Sequence, residues 1–178
     1  MNGAEKVKLL LEVIRDEILP LTESETARGN VSCGSAILRA DTLTSVMVGA
    51  DNRSTNPIFH GNIDSINRFF KLPVHPPAEE LIFLATHAPC PMCAAAIAWS
   101  GFKELWILFG HDEVETEPTL LPSLAMYRDL FGVEGIRNDN GFYTRHSIKK
   151  QVATSPNRDE LQALLDDIDR AYAALRKG

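Results

Sequence analysis

The chain has 178 residues, of which 44% are hydrophobic, with three cysteines and a formal net charge of −6 at pH 7. That length and apolar content suit one core-forming domain over residues 1–178. Lys and Arg are scattered, without the basic footprint of a nucleic-acid binder, so a small molecule is the expected partner and no nucleic acid. No apolar run is long enough to cross a membrane, and "MNGAEKVKLLLEVIRDEILP" is charged and amphipathic, unlike a signal peptide. A soluble, cytoplasmic protein is expected. An odd number of cysteines without an export signal argues against a disulfide framework and leaves metal binding or buried thiols.

Between Ala4 and Ile18, apolar side chains at Val7, Leu10, Leu11, Ile14 and Ile18 recur at helical spacing, which predicts a helix ending near Pro20. The runs "SAILRA" and "LTSVMVGA" are short and branched, and "DT" between them reads as a hairpin turn near Asp41. The stretch "DNRSTNP" has loop chemistry, and the following "IDSINRFF" places Ile63, Ile66 and Phe70 on one helical stripe that would pack on the sheet. "LIFLAT" reads as a third strand, the small-residue run from Cys90 to Trp99 as a helix, and "ELWILFG" as a fourth strand. A crossover helix between two strands implies a parallel pair and a layered α/β sheet. "LLPSLAMYRDLF" reads as a helix and "DELQALLDDIDRAYAALRK" as a terminal one, its stripe of Leu161, Leu164, Leu165, Ile168 and Tyr172 packing on the same domain. "GVEGIRNDNGFYTRHSIKK" is the least legible part. Trp99 and Trp106 fall in a helix and a strand, where packing in the core or an interface is the ordinary role. The acidic run "GHDEVETEP" reads as a solvated loop, or as a lid that selects an amino-bearing substrate.

A zinc ion that activates water needs three protein ligands and one open position. Cys90 and Cys93, preceded by Pro89, would open a helix with both thiolates at its positive end, which stabilises their charged form. His60, at the start of another helix, would supply the third ligand. A C-x-x-C pair alone also fits a redox pair or part of a structural zinc knot. A structural site would want a fourth ligand, and the spare cysteine, Cys33, sits before a strand rather than in a knuckle.

"HGN" and "PCPMC", each with a strand before it and a helix after it, resemble the cytidine deaminase-like superfamily of zinc deaminases, whose signature is H-x-E followed by P-C-x-x-C. The resemblance runs from about Gly29 to about Gly110, and "CGSAIL", "GADNRSTNP" and "WSGFKELWIL" extend it. It implies a three-layer α/β/α fold with a mixed, roughly five-stranded sheet and a homodimer. It also implies Zn²⁺ on His60, Cys90 and Cys93, and hydrolytic removal of an amine from a small amino-heterocycle (nucleobase, nucleoside or nucleotide). Asn52 matches the family Asn that contacts substrate. Phe59 would wall the pocket, Ala88 or Cys90 would offer a backbone amide to the attacked end, and Asp112 would sit at a strand end near the ligand.

Two positions depart from the pattern. Where the resemblance places the proton-shuttling Glu there is Asn62, and where it leads one to expect Glu before Pro89 there is Ala88. An amide donates and accepts hydrogen bonds but cannot take up and return a proton near neutral pH. General acid-base catalysis is worth about 10² to 10⁴ in rate, so turnover should be weakened by at least that factor. Three explanations follow: another residue carries the proton, with Asp64, His87 and Asp112 as candidates; the fold binds zinc and ligand without turnover; or the two departures are introduced changes. A phosphate-bearing ligand would want a basic residue at the pocket, and Arg53, beside Asn52, is the nearest in sequence.

Overall fold

In the computed structural model, residues 1–114, 120–138 and 140–176 are described. The first helix, α1 (Gly3–Val13), is capped by Asn2, whose side chain accepts the Glu5 N–H at 2.9 Å. It does not end near Pro20. A π-helical turn (Ile14–Ile18) leads straight into α2 (Leu19–Thr26), with the Leu19 N–H bonded to the Ile14 carbonyl five residues back. That wider turn relieves the contact a proline ring makes with the preceding turn, and the missing N–H of Pro20 falls at the start of α2, where it is not needed.

Strands β1 (Gly34–Arg39) and β2 (Ser45–Ala50) form the expected antiparallel hairpin, with Gly34 opposite Ala50 and a register shift between Ile37 and Leu38. β2 starts two residues later than its apolar run because Leu43 takes a left-handed turn conformation (φ 57°). β3 (Leu81–His87) lies antiparallel to β1, and β4 (Glu104–Phe109) lies parallel to β3, joined by α4 (Pro91–Trp99). The fifth strand, β5 (Thr144–Ser147), pairs parallel with β4, giving the order β2-β1-β3-β4-β5. It lies in the segment that was least legible in sequence, because four residues reading Thr-Arg-His-Ser show no apolar alternation.

Helices cover both faces, as a three-layer α/β/α fold requires. On one face α1, the π turn, α7 (Ile148–Ala153) and α8 (Arg158–Leu175) bury Leu10, Ile14, Val152, Leu165 and Tyr172 against Leu84, Trp106 and Leu108. On the other, α3 (Gly61–Phe69), α4 and α6 (Leu121–Phe131) bury Phe69, Ile97 and Leu124 against Phe83, Ala85, Leu105 and Ile107. β3 is buried along its whole length, which is why it reads as a continuous apolar run. No helix among the described residues is long and apolar enough to cross a membrane.

Two expectations need correction, and a third narrows. α3 buries Gly61, Asn62, Ser65 and Phe69 rather than the Ile63-Ile66-Phe70 stripe, and Phe70 is 46% exposed. Small polar residues win that face because α3 sits very close to the hairpin. Ser65 Oγ lies 2.7 Å from Ser35 Oγ, and a side chain on Gly49 would come within 2.6 Å of the Ser65 nitrogen. Trp106 is buried in the core, while Trp99 is 91% exposed at the end of α4, so of the two expected roles only packing in an interface is open to it. Finally, the acidic run opens with a short helical turn, α5 (His111–Val114), in which Glu113 pairs with Lys149; from residue 115 to 118 the run lies outside the described residues.

Candidate metal centre

His60 takes the cap position of α3 in an extended conformation, and Cys90 takes the same position of α4. Cys93 follows one turn into α4. These helix starts meet beyond the carboxyl end of β3, where open α/β sheets gather their ligands. His60 Nδ1 lies 3.6 Å from Cys90 Sγ and 3.7 Å from Cys93 Sγ, and the three ligand atoms all lie within 4.8 Å of one another. Zinc–sulfur and zinc–nitrogen bonds of about 2.3 and 2.1 Å, set at a tetrahedral angle, place S and N about 3.6 Å apart. The geometry therefore fits a shared zinc, with three protein ligands and a fourth position left over.

The charge state also fits. Both sulfurs are buried, and the hydrogen bond between them favours the Cys90 thiolate, lowering its pKa to about 4. The same hydrogen bond, together with burial, pushes Cys93 up, while a hydrogen bond from Asn62 favours its thiolate. Thiolate is the form that binds a metal, so a divalent ion would displace any proton left on the pair.

Gly61 makes the approach of the two helices possible. A Cβ there would lie 2.7 Å from the Cys33 carbonyl oxygen and 3.0 Å from the Gly34 Cα, so α3 can begin against β1 only with glycine after the histidine. Tyr127 ties α6 to the cysteine loop by donating its hydroxyl to the Pro89 carbonyl at 3.0 Å, and burial raises its pKa.

The ligands line a cavity of about 30 Å³ together with Cys33, Arg53, Asn62, His87, Ala88, Leu120 and Ser123. That is room for one or two waters, well below the roughly 300–1,000 Å³ of a pocket for a drug-sized ligand. A cavity of about 990 Å³ lies elsewhere, along Ala94, Ala98 and Trp99 of α4 and Phe142, Tyr143 and Arg145, without the metal ligands.

Of the residues singled out in sequence, the structure gathers His60, Cys90, Cys93, Asn62, Ala88, His87 and Arg53 at this cavity and leaves four outside it. The Asn52 side chain accepts from Thr55 Oγ1 at 2.8 Å and faces a separate hollow with Asp64 and Arg68. Asp64 pairs with Arg68 in that hollow, and burial raises its carboxyl pKa. Asp112 is exposed and lines another cavity with His111 and His146. Phe59 lines none of these; its carbonyl accepts the Asn52 N–H at 2.7 Å and so closes the 52–59 turn.

Two roles change even for residues at the cavity. The Ala88 N–H, expected to meet a substrate, donates to the Phe109 carbonyl at 2.8 Å and so extends the β3–β4 pairing. His87 has both ring nitrogens engaged: Nδ1 lies 3.0 Å from Thr86 Oγ1 and Nε2 lies 3.2 Å from an Arg176 nitrogen. Since Thr86 donates to the Gly34 carbonyl, it accepts from His87, whose Nε2 lone pair then accepts from Arg176. None of Asp64, His87 and Asp112 stands ready to replace a carboxylate at Asn62. Sequence reasoning missed Leu120, Ser123 and Tyr127, which come from α6 and the residue that caps it and carry no metal chemistry, and it missed Asp51, whose buried carboxylate holds Arg53.

A family model described as the cytidine and deoxycytidylate deaminase zinc-binding region matches residues 12–109, more than half of the chain. A sequence search of curated proteins finds no match. Among solved structures, guanine deaminase from Nitrosomonas europaea is similar at a TM-score of 0.54 and 20% identity, covering 86% of this chain and 81% of that one. Guanine deaminase from Bacillus subtilis is similar at a TM-score of 0.51 and 21% identity, covering 59% and 68%. These likenesses carry the fold: a mixed five-stranded sheet with helices on both faces. The chain belongs to the cytidine and deoxycytidylate deaminase zinc-binding family.

Proposed function

We propose that residues 1–178 act as one zinc-dependent deaminase-like domain that takes a small amino-heterocycle and replaces its exocyclic amine with oxygen, with turnover held down by Asn62. The observation that carries this reading is the His60-Cys90-Cys93 set, spaced for one tetrahedral ion with a position to spare. Zinc, when bound, supplies the Lewis acidity that makes water a nucleophile near neutral pH. His60, Cys90 and Cys93 hold and orient it. Asn62 lies beside Cys93 and favours its thiolate, but its amide cannot carry a proton from water to a ring nitrogen or a leaving amine. Leu120 and Ser123, at the start of α6, line the same cavity.

The cavity of about 30 Å³ also supports a second reading, a zinc- and ligand-binding module of the same fold without turnover. The expected homodimer belongs to the first reading, and Trp99, Leu130 and Phe142 offer it exposed apolar surface. Elemental analysis of the purified chain, followed by an ammonia-release screen over amino-substituted bases and nucleosides, tests both. About one zinc per chain with slow ammonia release supports the deaminase; zinc without release supports the module; a chain without zinc removes the site.

A further inference from the structure

We infer that Arg53 is a specificity residue that reads an oxyanion, phosphate or carboxylate, on the ligand of the metal site; this rests on the reading just given. The Asp51 carboxylate is fully buried and accepts from the Val31 N–H at 3.3 Å, the Arg53 N–H at 3.4 Å and Arg53 Nε at 2.8 Å. A buried carboxylate so anchored fixes the guanidinium from behind. The Arg53 side chain stays 29% exposed and borders the metal cavity. Only Nε is spent on Asp51, and among the described residues no acceptor meets Nη1 or Nη2. These two nitrogens form the end-on fork that matches an oxyanion bidentately. Apart from the metal ligands, the other cavity-lining side chains able to bear charge are Cys33 and His87, and the two contacts described for the His87 ring run to Thr86 and Arg176, so Arg53 is the fixed positive charge at the rim.

A purely structural role would have Arg53 do no more than neutralise Asp51 and pin the loop that ends at His60. The two roles separate in the Arg53→Lys variant, which keeps a countercharge for Asp51 and loses the planar fork.

The test is calorimetric titration of the zinc-loaded full chain with matched pairs: cytidine and its 5′-monophosphate, adenosine and its 5′-monophosphate, guanosine and its 5′-monophosphate, and pterin and pterin-6-carboxylate. In at least one pair the anionic member should bind ten-fold or more tightly than its neutral partner, and this ratio should fall at least five-fold in Arg53→Lys and Arg53→Gln, with zinc content unchanged. Whether the phosphate pairs or the pterin pair carry the ratio identifies the oxyanion. A ratio below ten in every pair, or one that survives Arg53→Gln, overturns the inference. If neither variant folds, inorganic phosphate must displace the anionic ligand from the unaltered chain, and failure to do so overturns it equally. Binding of neutral members alone removes only this inference, whereas a zinc-loaded chain that binds no member of any pair removes the heterocycle reading as well.

Discussion

His60 Nδ1 and Cys90 Sγ face each other at 3.6 Å from the starts of α3 and α4, helices that follow different strands, β2 and β3. Two buried thiols and a half-buried imidazole held at that spacing gain more from a shared cation than from a weak S–H···N bond. The chain should therefore purify with about one zinc, and Cys93→Ala should lower that to a small fraction. At metal levels about a thousand-fold above the dissociation constant, binding adds about 4 kcal/mol to stability. At about 2–4 °C per kcal/mol for a chain of this size, chelation should lower Tm on the order of 10 °C. Differential scanning calorimetry with and without chelator reads this directly, and superimposable traces would refute the metal centre.

Asn62 occupies the buried first turn of α3, 8% exposed, two residues after His60 and in the same cavity. A carboxylate there would restore a group able to accept and return a proton, so Asn62→Glu should raise ammonia release by about two to four orders of magnitude over the unaltered chain. Single-turnover assays on matched zinc-loaded proteins separate this from a change in affinity. A variant that keeps its zinc and gains less than ten-fold would turn the reading toward the non-catalytic module.

How much of this was legible in sequence depends on how local each determinant is. The grouping of His60, Cys90 and Cys93 could be read because cysteine and histidine carry their chemistry in their identity, and Pro89 and the small residues of α4 announce a helix start. The orientation of Asn52 could not, because its side chain is taken by Thr55, a turn bond that competes with any distant partner. His87 lost its candidacy to Arg176, 89 residues away in the chain, and no periodicity encodes that meeting. The helix through Pro20 was hidden for a similar reason: a single π turn overrides the usual stop signal. β5 is a short strand without alternation, and its place in the sheet follows from β4 rather than from its own residues.

Asp64 gives a pH-dependent prediction. Burial raises its folded pKa above the unfolded value, opposed in part by Arg68. A carboxyl group raised in this way favours the fold while it is protonated, and that contribution is lost as pH rises through its folded pKa. Removing the charge should therefore help at neutral pH and do little in acid. Asp64→Asn should be more stable than the unaltered chain at pH 7, with the difference fading below about pH 4, where the unfolded carboxyl is itself protonated. Urea midpoints measured at both pH values check the sign, and a loss of stability at pH 7 would mean that the Arg68 pair outweighs burial. Because Asp64 faces away from the metal cavity, the same variant should keep its zinc and any ammonia release.

Gly61 links the metal centre to the fold. Alanine ordinarily gains about 1 kcal/mol over glycine inside a helix, but here its Cβ would stand 2.7 Å from the Cys33 carbonyl oxygen, a backbone atom held in place by the Asp51 N–H. Forcing a methyl group into such a site costs about 1–3 kcal/mol or more, and because the obstacle is backbone rather than a flexible side chain, the clash should win. Gly61→Ala should lower Tm by several degrees. It should also weaken zinc binding, because the only relief is to push the start of α3, and His60 with it, away from Cys90. Gly3→Ala is the matched control, since nothing lies within 4 Å of a Cβ at that position and the change should be neutral or slightly stabilising. Competition with a chromogenic zinc chelator measures the affinity of each variant. A Gly61→Ala protein that binds zinc as tightly as the Gly3→Ala control would show that the His60 position does not depend on close packing of α3 against β1.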